Sequence, residues 1–549
     1  MKIQPIERWD RETTLVSQIA AGISLLAFLV YFRRSDLLLY GDAVAHINIA
    51  RRVVDSQTPG LLQLGTVWLP LPHLLMIPFL LSSVSWQTGI GGSIPSMCAY
   101  VFAVVGIFRL VRGSLSVHSE PSGTVRIVAW LSAAIFAGNP NLIYLGTTAM
   151  TELLYLALFV WVVVHCCEFV QAAVGPQADN DMAAKSLLKC GLCLAASCLT
   201  RYDGWFLAGA TCLVAVIVVL QSPIRQSLGR SVAQLFLLAA VAPVLWLGYN
   251  AAIYRNALEF ANGPYSARAI EQRSATPGMP GHPGAHDPPA AFSYFLKSAE
   301  LNLAEGQLER PWVLVLLAGV PLLLIVNRHL WPFVLLMVPI PFYMFSIAYG
   351  GVPIFLPEWW PFSYYNLRYG VQLIPMAAVS LALATYLLLN LARNTSAKVA
   401  GIVIPILFVA ASYTSVWRAQ PVTYREAAVN SRSRIALETE LASTLVRLPH
   451  DSTLLMYLGD HVGALERAGI PFRRVINEGN HRPWRKPSDP AGLWERALAD
   501  PQRYADYVIA MDNDPVATAV NRRDLASMVR IRTTGQPAAT VYWTHRVAR

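Results

Sequence analysis

Long apolar segments recur along the chain from Thr14 to Trp417, and none follows. A helix needs about 20 mainly apolar residues to cross the hydrocarbon core of a bilayer, and these segments approach that length. The pattern predicts a polytopic α-helical membrane protein with about eleven crossings, in a range of about ten to thirteen. The predicted crossings are residues 14–32, 93–111, 125–144, 150–170, 186–200, 204–221, 231–253, 311–326, 331–349, 369–391 and 398–417.

The residues after the last crossing have a different pattern, in which short strand-like and helix-like runs alternate. Such alternation is typical of a small α/β domain. We therefore divide the chain into a transmembrane domain, residues 1–417, and a soluble domain, residues 418–549. The runs in the soluble domain are 453–458, 462–468, 473–476, 493–499, 507–510, 516–519 and 540–543.

The composition agrees with a membrane protein and narrows the class of partner. Of the 549 residues, 55% are hydrophobic and only 14% are charged, whereas soluble domains carry about 25% charged residues. The net charge of +10 is spread over short loops and not gathered in a stripe, which argues against a nucleic-acid partner. The seven cysteines lie in or beside apolar segments, so no disulfide framework is predicted.

Basic residues occur in alternate loops, and this predicts the orientation of the chain. Cytoplasmic loops of membrane proteins are enriched in Lys and Arg. The N-terminus is therefore predicted to be cytoplasmic and the soluble domain to be periplasmic or extracellular. The compact loops and the cysteine-free tail favour a bacterial inner membrane. The loop residues that carry this prediction are Arg109, Arg112, Arg126, Lys185, Lys189, Arg225, Arg230, Arg328, Arg393 and Lys398.

This orientation predicts three long external segments, residues 33–93, 255–310 and 351–368. The apolar stretch Val67–Val84 contains three prolines, so we interpret it as a re-entrant or interfacial segment, with an ordinary kinked crossing as the alternative. The Pro/Gly-rich stretch Ser274–Ala290 is either a lid that orders on ligand binding or a passive linker.

Asp42 and His46 follow the first crossing and are four residues apart. On a helix they share a face. A carboxylate beside an imidazole at a membrane surface suits a general base or a ligand for a hard divalent cation. The alternative is that Asp42 only stabilises the first turn of an interfacial helix and that His46 is solvated.

Three further positions place charge at predicted external helix ends. Glu152 precedes a long apolar run, where it could act in the first turn of the helix or face a functional cavity. Arg201 and Asp203 interrupt two apolar runs and could either pair with each other or bind a ligand.

The motif Asn366-Leu367-Arg368-Tyr369 begins a late crossing. An Arg fork suits a phosphate, and the neighbouring aromatic residue suits the interface, so we predict donor-phosphate binding by Arg368 with Tyr369; a snorkelling anchor is the alternative. In the soluble domain, Asp512 and Asp514 form a DxD after a strand. We interpret this pair as a strand-end turn in which Asp caps the next helix, not as a metal site.

Taken together, these residues resemble the GT-C glycosyltransferases, the group that contains the protein O-mannosyltransferases and the lipid A aminoarabinose transferase. The resemblance covers about residues 14–417. It rests on the order of its parts: Asp42 after the first helix, a proline-rich segment at Trp68–His73, Glu152 at an external helix end, the Arg201 turn, and the Asn366–Tyr369 motif.

The resemblance implies a GT-C fold and transfer of a hexose or pentose from a polyprenyl-phosphate donor to an acceptor on the external face, with inversion. It implies that Asp42 is the catalytic base, with His46 nearby, and that Glu152 holds the acceptor or, with Asp42, a divalent metal such as Mg²⁺ or Mn²⁺. Arg368 would bind the donor phosphate, and Arg201 matches that role less clearly.

Two departures from the family pattern bear on the chemistry. The first loop has a single Asp42 where an acidic pair is expected, and the basic residue that precedes the proline-rich segment in the aminoarabinose transferase is missing, leaving Gln63, Gly65 and Thr66. Two other classes remain open: a transporter or flippase of lipid-linked saccharides, and a receptor or assembly protein. The acceptor, whether protein, lipid or glycan, is not identified by the sequence.

Overall fold

The computed structural model describes residues 9–116, 121–174, 178–274, 280–326, 328–480, 491–520 and 525–544. Most of these residues form helices. The helices before residue 255 are α1 (Arg11–Arg33), α2 (Gly41–Arg52), α3 (Leu71–Met76), α4 (Ser83–Gln87), α5 (Ile90–Leu115), α6 (Gly123–Gly138), α7 (Pro140–Leu145), α8 (Glu152–Val174), α9 (Asn180–Cys198), α10 (Asp203–Gln221) and α11 (Arg225–Tyr254).

The second half of the bundle begins with short helices at the surface and returns to long apolar ones. These helices are α12 (Glu259–Asn262), α13 (Ala267–Ser274), α14 (Pro288–Leu303), α15 (Glu309–Val326), α16 (Pro339–Tyr349), α17 (Ile374–Leu391) and α18 (Thr395–Ala419). Two 3₁₀ segments, Arg328–Met337 and Leu367–Leu373, precede α16 and α17.

Within the described ranges, eight helical segments are long and apolar enough to cross a membrane. They include α1, α5, α8, α10 and α11, together with the segments Leu330–Tyr349, Leu367–Leu391 and one that begins with α18. The predicted crossing at 125–144 is a shorter helix, because α6 ends at Gly138 and a new helix starts at Pro140. The total of about eleven crossings therefore stays a prediction.

The stretch Val67–Val84 is broken into short helices. Its longest apolar element, Leu71–Leu80, has ten residues and at 1.5 Å per residue is about 15 Å long, half of what a crossing needs. This length favours the re-entrant or interfacial interpretation over a kinked crossing. The Pro/Gly-rich loop interpreted as a lid or a linker includes residues 275–279, which lie outside the described residues.

Helix α8 lies at the centre of the bundle. In its apolar window 89% of the residues are buried, against 22% for α11 at the periphery. A helix that is apolar on all sides needs neighbours on all sides. Glu152 is the first residue of this central helix, and its side chain is buried in the interior of the protein.

Charged clusters mark the two ends of the bundle. At one end, Arg112 contacts Asp10 at 2.7 Å and Glu12 at 3.2 Å, and Arg126 contacts Glu12 at 2.8 Å. These contacts join the start of α1 to the end of α5 and the start of α6. The predicted external segments meet at the opposite end, where the candidate site lies.

The carboxyl-terminal part starts with α19 (Val422–Leu445) and continues into a five-stranded sheet of order β2-β1-β3-β5-β4. Strand β1 is parallel to β2 and β3, whereas β5 is antiparallel to β3 and β4. The elements are β1 (Leu454–Met456), α20 (Gly463–Ala468), β2 (Val475–Ile476), α21 (Leu493–Ala499), α22 (Pro501–Tyr504), β3 (Tyr507–Met511), α23 (Pro515–Val520), β4 (Ala526–Ile531) and β5 (Ala539–Trp543).

Side chains alternate between the two faces of this sheet, as the strand period requires. Leu454 and Ile509 join the core that continues into the helical bundle, and Leu455 and Val508 form a separate small core with Trp494. The predicted α/β pattern is confirmed, apart from α19, α22 and β4, which the sequence runs do not include. Asp514 accepts a hydrogen bond from the Ala517 amide at 2.6 Å, so it caps α23 as predicted.

The carboxyl-terminal part is joined to α2 by buried polar contacts. Arg434 of α19 donates to the carbonyls of Leu38 and Leu39 at 3.1 and 2.9 Å, and it pairs with Glu438 at 2.8 Å. Asn48 of α2 donates to Glu466 of α20 at 2.8 Å. The helix that carries Asp42 is thus held from behind by α19 and α20.

The buried Glu466 generates a prediction about pH and stability. Burial, with Glu438 nearby, raises the pKa of Glu466 to about 8 from an ordinary 4.5. The folded state then holds a proton that the unfolded chain releases, so stability is greatest below about pH 4.5 and falls as the pH rises towards 8. We expect Glu466→Gln to flatten this fall in thermal unfolding between pH 5 and 9.

The matched control is Asp451→Asn, because Asp451 is an exposed carboxylate of the same carboxyl-terminal part. This variant should keep the pH dependence of the wild type. If Glu466→Gln also keeps it, the carboxyl group is ionised in the folded protein and the prediction is wrong.

Candidate functional site

Four carboxylates and two guanidinium groups meet at the end of the bundle where the predicted external segments lie. They come from α2, α8, the turn before α10, the 3₁₀ segment before α17, and α19. We call them the charged cluster. Its members are Asp42, Glu152, Arg201, Asp203, Arg368 and Glu426.

Asp42 lies in the first turn of α2, where a negative charge is favourable. Tyr40, the residue before α2, donates from its hydroxyl to the Thr423 carbonyl at 2.8 Å, which fixes the start of the helix against α19. The side chain of Asp42 is 38% exposed, whereas those of Glu152 and Glu426 are 1% exposed. Asp42 is therefore the most accessible of these three carboxylates.

Arg368 is the centre of the cluster and contacts three carboxylates. Its Nη2 donates to Asp42 at 2.5 Å, its Nε to Glu152 at 3.1 Å, and its Nη1 to Glu426 at 2.8 Å. Its guanidinium carbon also lies 5.2 Å from the ring of Tyr40 and 5.1 Å from that of Tyr369. Such a fork holds carboxylates in a defined geometry, so Arg368 orients Asp42 relative to the other two.

Glu426 holds the backbone that presents Arg368. Its carboxylate accepts from the amide of Asn366 at 2.9 Å and from that of Arg368 at 3.3 Å. Asn366 has φ of +58°, a left-handed conformation that Asn tolerates better than most residues. The turn before α17 is thus shaped by a carboxylate from the carboxyl-terminal part.

Glu152 connects the two arginines. Its Oε1 accepts from Arg368 and, at 3.2 Å, from Arg201. Among the described residues, its Oε2 is buried without a hydrogen-bond partner. A buried carboxylate shared by two guanidinium groups is better suited to positioning them than to meeting a substrate directly.

The guanidinium of Arg201 contacts the side chains of four residues. It contacts Asp203 at 3.2 Å, Thr151 Oγ1 at 3.1 Å and the hydroxyl of Tyr343 at 3.0 Å, besides Glu152. Gln372 donates to Asp203 at 2.6 Å. The pairing of Arg201 with Asp203, one of the two alternatives from the sequence, is therefore present, and it is part of a larger network.

Tyr369 separates the two arginines. Its ring centre lies 5.1 Å from the guanidinium carbon of Arg201 and 5.1 Å from that of Arg368. It also stacks on Tyr343 with ring centres 5.0 Å apart. The aromatic ring attracts both cations through its face, which keeps the two guanidinium groups at a fixed separation.

His46 is buried, so its side chain is not solvated, and its contacts are with residues other than Asp42. Its Nδ1 lies 2.9 Å from Nε2 of His73, and its ring lies 4.7 Å from that of Trp68. Within the described part of the chain, no hydrogen bond joins it to Asp42. Burial, with Arg368 and Arg201 nearby, lowers the pKa of His46 to about 3, so the imidazole is neutral.

The donor set around Asp42 and Glu152 does not fit a divalent metal. No group of three or more His, Cys, Asp or Glu side chains among the described residues is arranged to hold one. Arg368 contacts both carboxylates and supplies the positive charge between them. The metal that the resemblance implies stays a prediction, and no step below depends on it.

The sequence analysis missed four polar residues that complete the network: Thr151, Tyr343, Gln372 and Glu426. Thr151 is next to Glu152, and Gln372 is three residues after Tyr369, so both lie close in sequence to residues that were named. Glu426 had no comparable signal, because it follows the last predicted crossing and lies in the segment assigned to the soluble domain.

A substitution of Glu426 tests whether the charged cluster stabilises the protein, at the member for which the sequence carried no signal. Replacing it by Gln leaves Arg368 with one fewer buried counter-charge, and breaking a buried pair costs about 3 kcal/mol. We expect Glu426→Gln to lower the thermal unfolding temperature markedly. Glu440→Gln, at an exposed position of the same helix, should have little effect; equal unfolding temperatures for both variants would contradict the role assigned to Glu426.

This chain is similar to known proteins in its fold, whereas the comparisons of its sequence found no match. No protein-family model matches this chain, and no match was found among curated protein sequences. The solved structures do include similar chains. ArnT from Cupriavidus metallidurans, bound to undecaprenyl phosphate, is 14% identical with a TM-score of 0.55, and the match covers 95% of this chain and 97% of that chain.

The apo form of the same transferase is 13% identical with a TM-score of 0.52, over 94% of this chain and 98% of that one. An apo oligosaccharyltransferase from Archaeoglobus fulgidus is 13% identical over 92% of this chain and 70% of that chain, but its TM-score of 0.46 is too low to support an argument. The likeness to ArnT, the lipid A aminoarabinose transferase, confirms the predicted GT-C fold.

Proposed function

We propose that the protein is a glycosyltransferase that moves a sugar from a polyprenyl-phosphate donor to an acceptor on the external face of the membrane. The observation that carries this proposal is the accessible carboxylate of Asp42, held by Arg368 against two buried carboxylates. A fixed, partly exposed carboxylate is suited to accept a proton from a bound hydroxyl.

The fold, and the ligand bound in one structure that shares it, support the class of donor. ArnT shares the fold, and one of its structures contains undecaprenyl phosphate. Eight apolar segments in the described residues suit a protein that works on a membrane-anchored substrate. The proposed sugar is a hexose or a pentose.

In the proposed reaction, Asp42 takes the proton of an acceptor hydroxyl as its oxygen bonds to the anomeric carbon of the sugar. The bond between that carbon and the phosphate oxygen breaks, and its electrons leave with the polyprenyl phosphate. Attack on the face opposite the leaving phosphate inverts the anomeric carbon. Positioning of the base and the two substrates supplies much of the rate enhancement.

The remaining members of the charged cluster are positioning residues in this proposal. Glu426 and Glu152 hold Arg368, which in turn orients Asp42. His46 does not take the proton, because a neutral imidazole with a pKa of about 3 is a weak base and its Nδ1 already contacts His73. Its proposed contribution is to pack the face of α2 behind Asp42.

The donor phosphate needs a cation whose charge is not already compensated. Arg368, Arg201 and Tyr369 were predicted to bind it, and this role remains a proposal. In the charged cluster, however, four carboxylates surround the two guanidinium groups. A phosphate entering there meets an excess of negative charge, so part of its binding must come from elsewhere.

The direct test is a transfer assay with purified protein in lipid, with radiolabelled polyprenyl-phosphate hexoses and pentoses as donors. We expect Asp42→Asn to lower turnover by at least about a hundredfold, the usual contribution of a positioned base. Its thermal unfolding temperature should stay near that of the wild type, since Asp42 is partly exposed and the buried Glu152 and Glu426 still pair with Arg368.

Full turnover in Asp42→Asn would show that Asp42 is not the catalytic base. Donor binding without turnover in either protein, across lipid, protein and glycan acceptors, would favour the alternative function, transport of lipid-linked saccharides. In that case labelled donor should move across the bilayer of sealed vesicles, which a transferase does not require.

The same assay tests the proposed role of Arg368 as the cation between the carboxylates. Because the guanidinium occupies the position between Asp42 and Glu152, we expect turnover to be unchanged after treatment with EDTA. Loss of turnover that returns when Mg²⁺ or Mn²⁺ is added would show that the cluster rearranges to hold a metal.

A further inference from the structure

Two adjacent arginines end helix α2, and they have different environments. Arg51 is fully engaged: its Nε contacts Asp55 at 3.1 Å, and its Nη1 donates to the carbonyls of Leu80 and Leu81 at 2.5 and 2.8 Å. It also lies over the ring of Trp86. Arg51 therefore has a structural role, which is to join α2 to the segment before α5.

Arg52 is only partly exposed, yet its charge has no such partners. Its Nε is buried without a hydrogen-bond partner, and no carboxylate among the described residues lies within ion-pair distance of it. Glu478 is the acid that acts on it electrostatically. That carboxylate is already bound by the amides of Leu458 and Gly459, at 2.9 and 3.3 Å.

Polar side chains from other elements lie near this guanidinium. The phenols of Tyr254, at the end of α11, and of Tyr265 interact with it electrostatically. A Cβ on Gly479 would lie 3.5 Å from its Nη1 and 2.7 Å from Oε1 of Gln63. A bulkier residue at 479 would therefore crowd both side chains, so the glycine leaves space beside Arg52.

The segments that follow α2 and α11 also expose apolar surface of the kind that contacts lipid. Leu61 and Leu258 are 60% and 49% exposed, and the hydroxyl of Tyr249 in α11 donates to the Leu61 carbonyl at 3.0 Å. Helix α11 is a candidate membrane span, and only 22% of its apolar window is buried. A charged group next to a lipid-facing helix end lies at the level of lipid headgroups.

We propose that Arg52, with the phenols of Tyr254 and Tyr265, binds the phosphate group of a lipid substrate at a subsite distinct from the charged cluster. This inference rests on the proposed function and adds a residue that the sequence analysis did not single out. A guanidinium and two phenols offer several donors to one phosphate, and a desolvated cation gains most from an anion that has not yet been compensated.

The subsite is connected to the charged cluster by the histidine pair. Arg52 acts electrostatically on His73, which contacts His46 at 2.9 Å, and Arg368 and Arg201 act on His46. Because Asp42 and Arg52 are ten residues apart on one helix, they are separated by about 15 Å along its axis. An acceptor lipid can therefore hold its phosphate at Arg52 while its hydroxyl extends towards Asp42. A donor, whose phosphate is bonded to the reacting anomeric carbon, can bind at Arg52 only before that carbon moves to Asp42.

Two sources present the same chemistry to Arg52: the phosphate of the polyprenyl donor, and a phosphate on an acceptor lipid. The experiment measures binding of undecaprenyl phosphate and of dioleoyl phosphatidic acid to purified protein, without requiring turnover. The variants are Arg52→Gln, Arg52→Lys and, as the matched control, Arg447→Gln at an exposed position of the carboxyl-terminal part.

We expect Arg52→Gln to raise the Kd of at least one of these lipids about tenfold, which is a loss of about 1.4 kcal/mol of binding free energy. Arg52→Lys should keep part of the affinity, and Arg447→Gln all of it. Binding should also weaken less with added salt in Arg52→Gln than in the wild type, because one ionic contact is gone. A loss limited to undecaprenyl phosphate assigns the subsite to the donor; a loss limited to phosphatidic acid assigns it to the acceptor.

Equal Kd values for wild type and Arg52→Gln with both lipids overturn the inference. This failure is distinguishable from failure of the proposed function, because the Asp42→Asn transfer assay does not depend on Arg52. If Arg52→Gln does not fold, the Arg52→Lys variant carries the test: it retains the charge but loses the planar set of donors, and an unchanged affinity for both lipids overturns the inference.

Discussion

The guanidinium of Arg368 joins carboxylates from three separate parts of the chain: α2, the first turn of α8, and α19. A charge taken out of water is costly unless it is paired and hydrogen-bonded. Arg368 satisfies this condition only when Asp42, Glu152 and Glu426 are all in place. The end of the central helix, helix α2 and the carboxyl-terminal helix α19 are thereby fixed to one another, and the geometry of the site follows from that constraint.

The constraint gives the carboxyl-terminal part a direct place in the site. Helix α19 supplies Glu426, whose carboxylate shapes the turn that presents Arg368. The same helix holds the segment before α2 through Arg434, and α20 holds α2 through Glu466. A movement of this part of the chain would displace Asp42 and Arg368 together. Its division from the transmembrane part at residue 417 is a division of sequence pattern and does not separate two independent sites.

The sequence predicted the elements better than the contacts between them. Period and apolar length identify helices such as α1, α5 and α8, and alternating runs identify most of the sheet, because these signals are local. Asp42, Glu152, Arg201 and Arg368 could be singled out because charge at the end of an apolar run is unusual. Glu426 could not, since α19 has an ordinary polar composition and its partner Arg368 lies 58 positions away. The partner of His46 was also misjudged: spacing suggested Asp42, four residues earlier, whereas tertiary packing supplies His73.

The arginines of this region differ in how far their charge is compensated, and that difference separates their functions. Arg368, Arg201 and Arg51 each have carboxylate or carbonyl partners, so the energy of their contacts is used inside the protein to hold elements in place. Arg52 has a buried Nε without a partner in the described residues, and burial lowers the pKa of its guanidinium. A protein gains nothing in stability from such an uncompensated cation. Its presence beside a lipid-facing helix is explained if the missing anion arrives with the substrate, so that binding energy is released where the substrate must be held.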